Sequence, residues 1–443
     1  MAGRPSKSQR LDVWMNGEFV GRWDYSGSKG HSFSYDASWI DHPLGRPLSL
    51  SLPLSNGTEP FSGEKVENYF DNLLPDSKVI RKRLSTRFGA KTSSAFALLS
   101  KIGRDCVGAV QLLPADSPAP NVQNTHATPL TPAQIEHLLD ETLAGHGMGG
   151  LEEDDLRISI AGAQEKTALL WHEDQWCMPH GATPTTHILK LPLGEVGGLR
   201  ADFSTSVENE WLCGKIAQAY GFPIADSRIA QFGHHKVLVV TRFDRVWRDT
   251  WWARRPQEDF CQVNGLSVEQ KYEDRGGPGI DSILSTLRGS ENAIEDRNNF
   301  LAAQLLFWIL AAPDGHAKNF SIFLEPRGRF YMTPLYDVMS AWPVIGGGAR
   351  QFQWQKVKMA MAIRAGNAHY KMIEIQRRHW NEVAKRNAMG NDFEPTIKHL
   401  VESTDAALNT VNALLPQGFP ANVADPIFEG IRRQVRTLEL SAP

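Results

Sequence analysis

Residues 305–323 constrain the fold more than any other part of the chain, because a polar cluster separates two apolar stretches there. The first apolar run, residues 305–312, ends at Pro313, which lacks a backbone donor and disfavours helical backbone in the residue before it. The polar sequence DGHAKN follows at once, and residues 320–323 resume as a short apolar strand. A polar cluster between a buried helix and a buried strand indicates a functional site more often than a connecting loop.

Three side chains with oxygen atoms in this region have the order expected of a phosphoryl-transfer site. Asp314 and Asn319 are separated by four residues, the interval between the base and the metal-binding Asn of a protein-kinase catalytic loop. A strand–turn–strand pattern, FSIFLEPRGRFYM, then leads to Asp337. The order predicts Asp314 as the base and Asn319 and Asp337 as ligands of Mg²⁺. Taken singly, the three could equally be a helix-end cap, a turn residue and a turn acid.

Length and composition describe an ordinary globular chain. Its 443 residues predict two or three domains, and a net charge of −3 gives no general attraction to nucleic acid or membranes. Its four cysteines are scattered without a CxxC pair, which favours a reduced cytosolic protein and argues against a zinc site or a disulfide framework. We find neither a signal peptide nor an apolar run long enough to span a bilayer, so a cytoplasmic location in a bacterium is expected.

The pattern along the chain predicts an α+β, two-lobed, protein-kinase-like fold with a strand-rich N-terminal half and an all-helical C-terminal lobe. Asn16-Gly17 favours a tight hairpin turn in the first strands. Thr131 and Gln134 favour a capping box at the start of a helix. The predicted parts are a β-rich subdomain (1–114), a linker with the capped helix (115–149), the rest of the N-lobe with a phosphate loop and a strand lysine (150–255), and the helical lobe with the catalytic and metal-binding residues (256–443).

A lysine and a glutamate in the N-terminal half fit the ion pair of a kinase. Lys190 lies in the strand pattern THILKLP, where it would contact the α- and β-phosphates of ATP. An isolated strand lysine is more commonly solvated. Glu210, twenty residues later on a predicted helix, supplies the expected partner, whereas Glu208 lies on a different face of that helix and is the less favourable choice.

Further candidate residues surround these groups. The loop SIAGAQEK has a single glycine and matches neither a Walker A motif nor GxGxxG, so an ordinary hairpin loop is the alternative to a phosphate-covering loop. Lys318 is a candidate to stabilise the transferring phosphoryl group. No Ser–His–Asp grouping or HExxH motif favours a hydrolase. The remaining predicted ATP-binding residues are Ile160, Ala161, Gly162, Ala163, Gln164 and Glu165 in the loop, Thr241, Arg242 and Phe243 at the hinge, and His316 beside the base.

A basic segment near the C-terminus is predicted to be helical over residues 364–386. It carries Lys371, Arg377 and Arg378, which are candidates for contact with DNA phosphates. A basic face on a helix is more commonly just solvated, and that alternative stays open.

Beyond these residues, the chain resembles the HipA family of kinase toxins nearly from end to end. The strings that carry the resemblance are RPLSLSLPL, YFDNLLPDS, SKIGRDCVGAV, RISIAGAQEKTALL, TPTTHILKLPLGE, RFDR, PQEDFCQ, GGPGI, DGHAKNFS and PLYDVMSAWP. The resemblance implies an ATP- and Mg²⁺-dependent serine/threonine protein kinase. In it Asp314 is the base, Asn319 and Asp337 hold the metal, and Lys190 binds phosphate. It also implies autophosphorylation on Ser159, where roughly two added negative charges would repel the triphosphate.

The same resemblance implies partners and a biological role. The family's partner is HipB, a helix-turn-helix antitoxin dimer, and the two proteins together bind operator DNA and repress their own operon. The family's best-known substrate is glutamyl-tRNA synthetase, whose phosphorylation stalls translation and gives persistence. Two other hypotheses stay open: a catalytically idle kinase fold that acts as a DNA co-repressor, and a kinase of small molecules or lipids.

Overall fold

An antiparallel five-stranded sheet opens the chain in the computed structural model, which describes residues 9–115, 117–144, 159–162 and 164–441. Asn16 and Gly17 form the predicted two-residue turn, with φ of 51° and 87°. Trp23 stacks on Phe70 in the core, with ring centroids 3.9 Å apart. The elements are β1 (Gln9–Met15), β2 (Glu18–Ser26), β3 (Gly30–Tyr35), α1 (Ala37–Ile40), β4 (Phe61–Ser62), α2 (Glu64–Asp71), α3 (Lys78–Arg87), α4 (Ala95–Ile102) and β5 (Val110–Pro114), and the strand order is β4-β3-β2-β1-β5.

A six-stranded antiparallel sheet forms the second unit. The predicted capping box is confirmed, because the backbone N–H of Thr131 donates to Gln134 Oε1 (2.8 Å) and that of Gln134 donates to Thr131 Oγ1 (3.3 Å). The elements are β6 (Ala127–Pro129), α5 (Pro132–Ala144), β7 (Lys166–His172), β8 (Gln175–Pro179), β9 (His187–Lys190), β10 (Gly194–Val196), β11 (Ala201–Phe203), α6 (Ser206–Ala219), β12 (Ser227–Phe232) and β13 (His235–Thr241). The sheet order is β12-β13-β9-β7-β8-β6, so the predicted linker contributes the edge strand β6.

The largest hydrophobic core belongs to the C-terminal part and also takes in helix α6. Among the described residues, no helix combines the length and apolar character needed to cross a bilayer. The elements are β14 (Arg245–Arg248), β15 (Trp251–Arg254), β16 (Gln257–Asp259), α7 (Phe260–Val263), α8 (Ile280–Thr286), α9 (Ala293–Ile309), β17 (Ser321–Leu324), β18 (Phe330–Met332), β19 (Lys358–Ala365), β20 (Asn367–Lys371), α10 (Arg377–Arg386), α11 (Glu394–Leu414) and α12 (Ala421–Leu440).

The C-terminal lobe is not entirely helical, which corrects one part of the prediction. The strand–turn–strand pattern before Asp337 is confirmed as β17 and β18, which join β16 in a three-stranded sheet. The segment 364–386 is not one helix, because its first part completes the hairpin β19–β20 and α10 begins only at Arg377. Gly366, between the two strands, has a φ of 71°, and this left-handed conformation makes a turn where a helix would need to continue.

A buried ionic cluster joins the first unit to the segment after β13. Arg245 and Arg254 each donate to Asp105 Oδ1 (3.0 Å), and Arg242 donates to Asp244 Oδ2 (2.9 Å). All five side chains are at most 7% exposed. Burial would raise the pKa of Asp105, but the three guanidinium groups hold it well below its usual range. We call these five residues the arginine–aspartate cluster; the sequence pattern did not predict it.

Candidate functional site

A cleft lies between the six-stranded sheet and the C-terminal lobe, and the first unit supplies part of its wall. Clefts between lobes commonly bind ligands of the size of a nucleotide. Glu165 is not among the lining residues, and Ala163 lies outside the described residues. The predicted residues that line the cleft are Ile160, Ala161, Gly162, Gln164, Lys190, Glu210, Thr241, Arg242, Phe243, Asp314, His316, Lys318, Asn319 and Asp337.

Lys190 lies on the cleft wall between two carboxylates. It is the last residue of β9, and strand alternation directs Leu189 into the sheet core and Lys190 into the cleft. Its Nζ donates to Glu210 Oε1 on α6 at 2.6 Å, and it also forms an ion pair with Asp337. Glu208 pairs instead with Lys236 at 2.5 Å. The structure therefore forms the lysine–glutamate pair that the sequence spacing predicted.

Asp314 follows helix α9 and faces the cleft with a side chain that is 58% exposed. The hydroxyl of Tyr272 donates to its Oδ1, so one carboxylate oxygen is held in place. Burial and the neighbouring carboxylate both raise the pKa of Tyr272. Tyr272 lies 42 residues before Asp314, and no local pattern in the sequence connects the two. The carboxylate is exposed in the cleft, and its role as the base stays a prediction.

Asn319 and Asp337 approach each other on the same side of the cleft. The Asn319 amide Nδ2 lies 3.5 Å from the backbone oxygen of Asp337. Asp337 has a φ of 56°, a left-handed conformation that is uncommon outside glycine and concentrates at functional sites. Amide and carboxylate oxygens are the donors that Mg²⁺ prefers, so these two residues fit the predicted metal site.

His316 is buried beside the base. Burial lowers its pKa to about 4, so the imidazole is neutral at physiological pH. Its ring packs edge-on against Tyr272, with centroids 5.0 Å apart. Nδ1 is buried without a hydrogen-bond partner among the described residues. The structure places His316 in the cleft as a neutral neighbour of Asp314, and its contact with ATP stays a prediction.

Lys318 is positioned differently from the predicted role. Its Nζ donates to Asp259 Oδ2 (2.7 Å), Asn72 Oδ1 (2.9 Å) and Asn72 O (3.1 Å), which engages all three of its donors. Burial would lower its pKa, but Asp259 and Asp76 raise it above the usual value, so the side chain stays charged. In this conformation Lys318 connects the C-terminal lobe to the first unit. Its action on a phosphoryl group stays a prediction.

The predicted phosphate loop is attached to the first unit. The backbone N–H of Asp76 donates to Gly162 O (3.0 Å), and the hydroxyl of Ser159 donates to Leu73 O (2.8 Å). Ser159 is fully buried, so its hydroxyl is inaccessible in this conformation. Gly162 has a φ of 112°, and a Cβ there would lie 2.4 Å from Lys166 Nζ. The left-handed backbone favours glycine here, and any larger residue would also displace the end of the Lys166 side chain.

Lys166 and Lys271 are further cations of the cleft that sequence reasoning missed. Burial, together with the charge of Lys190, lowers the pKa of Lys166 to about 7, and its Nζ donates to Ala161 O at 2.6 Å. Lys271 donates to Asp76 Oδ2 at 2.7 Å. Lys166 ends the loop sequence AGAQEK and begins β7, and this position was the available signal.

Glu165 points away from the cleft. Its carboxylate pairs with Arg83 on α3 and lines a smaller neighbouring cavity. Its backbone oxygen accepts from Leu191 N at 3.1 Å, which attaches the end of the loop to the segment after β9. The structure therefore does not place the Glu165 side chain where it would contact ATP.

The predicted hinge lines the cleft, but the Arg242 side chain binds protein carboxylates. The Arg242 side chain belongs to the arginine–aspartate cluster, and its backbone N–H donates to Thr186 O (2.9 Å). The ring of Phe243 lies 5.8 Å from that of Tyr336, between centroids. At Thr241, the backbone N–H donates to Asp226 O (2.8 Å). Contact of this segment with an adenine ring stays a prediction.

The three candidate DNA-binding residues lie at the end of β20 and the start of α10. Lys371 pairs with Glu374 at 2.9 Å. Arg377 donates to Glu394 Oε2 (3.0 Å) and to Leu438 O (2.9 Å), so intramolecular partners occupy much of its guanidinium group. Arg378 is exposed. Their contact with DNA stays a prediction.

Comparison with known proteins matches the chain to two protein families, the HipA N-terminal domain over residues 11–113 and the HipA-like C-terminal domain over residues 158–411. "Putative kinase Y4mE" of Sinorhizobium fredii is 33% identical over 413 residues, which cover 90% of this chain and 91% of that protein. "Serine/threonine-protein kinase toxin HipA" of Shewanella oneidensis is 27% identical over 351 residues, covering 76% of each chain.

A solved structure shares the fold over almost the whole chain. It is the Shewanella oneidensis complex of HipA, HipB and operator DNA, matched with a TM-score of 0.75 and 23% identity over 97% of this chain and 100% of that one. The likeness supports the two-lobed kinase-like fold predicted from the sequence.

Proposed function

The chain belongs to the HipA family, and from this premise we propose that it is an ATP- and Mg²⁺-dependent serine/threonine protein kinase that acts as the toxin of a toxin–antitoxin system. The relatives named as kinases support the general activity. One observation carries the proposal: Lys190, Glu210, Asp314, Asn319 and Asp337 come from separate elements and converge on one cleft.

The proposed mechanism assigns each of these residues a role. Asp314 accepts the proton of the substrate hydroxyl as that oxygen attacks the γ-phosphorus of ATP, and the bond to the ADP oxygen breaks. Tyr272, which donates to Asp314 Oδ1, orients the carboxylate. Lys190, oriented by Glu210, binds the phosphates. Asn319 and Asp337 would hold Mg²⁺, which neutralises phosphate charge when it is bound.

The test of this assignment is Asp314→Asn, which keeps the size of the side chain and removes the base. We expect the rate of phosphoryl transfer to fall by about 10²–10⁴-fold, the usual value of general-base catalysis. Circular dichroism should show an unchanged fold, because Asp314 is exposed. Transfer from γ-labelled ATP at the wild-type rate would contradict the role of Asp314.

Self-phosphorylation on Ser159 is part of the proposal. The Ser159 hydroxyl is buried and bound to Leu73 O, so the modification requires the loop to leave the first unit. A phosphate would add roughly two negative charges and could not return to this closed position without their desolvation. Ser159→Ala should abolish most self-phosphorylation while ATP binding persists. Phosphopeptide mapping that finds the phosphate at another residue would contradict this site.

The proposed partners follow from the family. We propose a HipB-like helix-turn-helix antitoxin dimer, operator DNA bound by the toxin–antitoxin complex, and glutamyl-tRNA synthetase as the protein substrate in the bacterial cytoplasm. The structural neighbour, which contains HipB and operator DNA, supports the first two. Incubation of the active protein with a cell lysate and labelled ATP, followed by identification of the labelled proteins, tests the substrate.

The competing function is a catalytically idle co-repressor with a kinase fold. Its supporting observation is the presence of operator DNA in the neighbouring complex. A γ-phosphate transfer assay and an operator gel shift, each with and without antitoxin, distinguish the two functions. Binding of operator without any transfer would favour the co-repressor.

A further inference from the structure

A group of histidines and acids lies on the outer side of the N-lobe, apart from the cleft. Asp140 and Glu136 belong to helix α5, and His234 and His235 lie at the turn between β12 and β13. One ligand atom from each of Asp140, His234 and His235 lies within 4.8 Å of the other two. We infer that these three side chains form a binding site for a divalent transition-metal ion of the zinc class.

The distances already approach those of a metal site. Asp140 Oδ1 lies 2.7 Å from His235 Nε2 and 3.2 Å from His234 Nε2. A tetrahedral ion with bonds of about 2.0–2.1 Å places its ligand atoms roughly 3.3 Å apart. His234 is 66% exposed and Asp140 is 48% exposed, so both side chains have room to rotate, while His235 is 8% exposed and held in place.

The hydrogen bonding of His234 is the second observation that points to a cation. Its Nδ1 lies 2.7 Å from Glu136 Oε1, while its Nε2 faces Asp140. The contact with Glu136 orients the ring so that Nε2, the atom that would bind a metal ion, faces the Asp140 carboxylate. An ion between Nε2 and Asp140 would be bound by both side chains. A carboxylate behind a ligating histidine is the usual outer partner of such sites.

The backbone around the site is shaped to admit Glu136. Gly233 has a φ of 56°, and a Cβ there would lie 1.8 Å from the Glu136 carboxyl carbon. The backbone N–H of His234 also donates to Glu136 Oε1, at 3.0 Å. Glu136 is thus held behind His234 by two contacts, and a side chain at position 233 would displace its carboxylate.

Imidazole and carboxylate ligands suit Zn²⁺ and its neighbours in the first transition row. Three protein ligands leave a fourth position for water. The scattered cysteines argued against zinc in the sequence, but this site uses none of them, and the signal was the His234-His235 pair. The ion would link α5 to the β12–β13 turn, and α5 also contacts α3, where Arg83 Nη1 donates to Leu143 O at 2.9 Å.

The test uses the full chain without a histidine tag, stripped of metal by a chelator and titrated with Zn²⁺ by calorimetry. We expect one equivalent to bind and the melting temperature to rise. His234→Ala and Asp140→Asn should remove this binding, and Glu136→Gln should weaken it by about 10–100-fold, as loss of an outer carboxylate does. Binding of Co²⁺ at the same stoichiometry, with the visible absorption of a tetrahedral ion, gives an independent readout.

His137→Ala is the matched control. His137 also lies on α5 and is exposed, but it faces Glu141 at 3.2 Å. The His137→Ala variant should bind Zn²⁺ as the wild type does. Absence of a saturable equivalent in the wild type, unchanged binding in His234→Ala and Asp140→Asn, or an equal loss in His137→Ala would each overturn the inference. Circular dichroism of each variant excludes unfolding as the cause of a loss.

Discussion

The arginine–aspartate cluster and the group formed by Lys190, Glu210 and Asp337 both bury opposite charges along the cleft wall, but only the second includes a partly exposed carboxylate, that of Asp337. In the cluster, each side chain is at most 7% exposed and its charged partners are all protein groups. In the cleft, Asp337 is 36% exposed and Asp314 is 58% exposed. Charged groups whose partners are all buried protein groups stabilise the fold. Charged groups that stay partly exposed remain available to a ligand.

The largest expected effect is on the cluster. Asp105→Ala leaves Arg245 and Arg254 without their shared carboxylate, and removal of one partner from a buried ion pair lowers the free energy of unfolding by about 3–5 kcal/mol. Urea denaturation measures this change in the free energy of unfolding. Asp24→Ala, which breaks an exposed pair with Arg10, should cost only about 0–1 kcal/mol. A similar loss of unfolding free energy in the two variants would contradict the expected difference between the buried cluster and an exposed ion pair.

The second effect is on the cleft. Lys190→Met should lower the turnover of phosphoryl transfer by about 10²–10³-fold, as loss of one preorganised electrostatic contact does. Its unfolding midpoint should also fall, because Lys190 and Glu210 are only 6% and 9% exposed and the change leaves the Glu210 carboxylate without its partner. Glu208→Gln is the control: Glu208 shares helix α6 but pairs with Lys236. The comparison fails if Lys190→Met retains turnover or if Glu208→Gln loses it.

A smaller effect is expected at the phosphate loop. Gly162→Ala places a Cβ against Lys166 and strains a backbone at φ 112°, which costs about 1–3 kcal/mol. The Kd for ATP should rise about tenfold. Gly181→Ala also replaces a glycine with positive φ, but nothing lies near its Cβ position, so ATP binding should stay unchanged. Equal nucleotide titrations for Gly162→Ala and the wild type would contradict the close approach.

The smallest effect concerns pH. Because burial lowers the pKa of His316 to about 4 from a usual 6.5, the unfolded chain binds a proton that the folded chain does not. The wild type should therefore lose stability as pH falls from about 6.5 toward 4, and His316→Asn should lose less. No such difference arises above pH 6.5. Parallel pH profiles of unfolding for the two proteins would show that folding does not change the pKa of His316.

The sequence predicted the parts of the site that have local patterns. The spacing of Asp314 and Asn319, the strand position of Lys190 and the helix position of Glu210 all placed residues that the structure brings together. Local spacing encodes such parts because each residue lies in, or a few residues after, a regular element whose pattern is visible in the sequence. The fold class followed from the same alternation of strands and helices.

Contacts between distant segments were not predictable in this way. Asp105 meets Arg245 across 140 residues, and Lys318 meets Asn72 across 246. No periodicity links such pairs, so Lys318 was assigned to catalysis without its partners. The prediction of a helix over 364–386 was wrong for a local reason, because Gly366 forms a turn between two strands.

The attachment of the phosphate loop to Leu73 and Asp76 determines whether the rest of the chain can function without its N-terminal unit. A fragment beginning after β5 would retain Lys190, Glu210, Asp314, Asn319 and Asp337, yet its glycine loop would lose its contacts with Leu73 and Asp76. The N-terminal unit is therefore a structural part of the cleft, because Asn72, Leu73 and Asp76 line it. Exchange of this portion between relatives should succeed only when the loop and its anchor are inherited together.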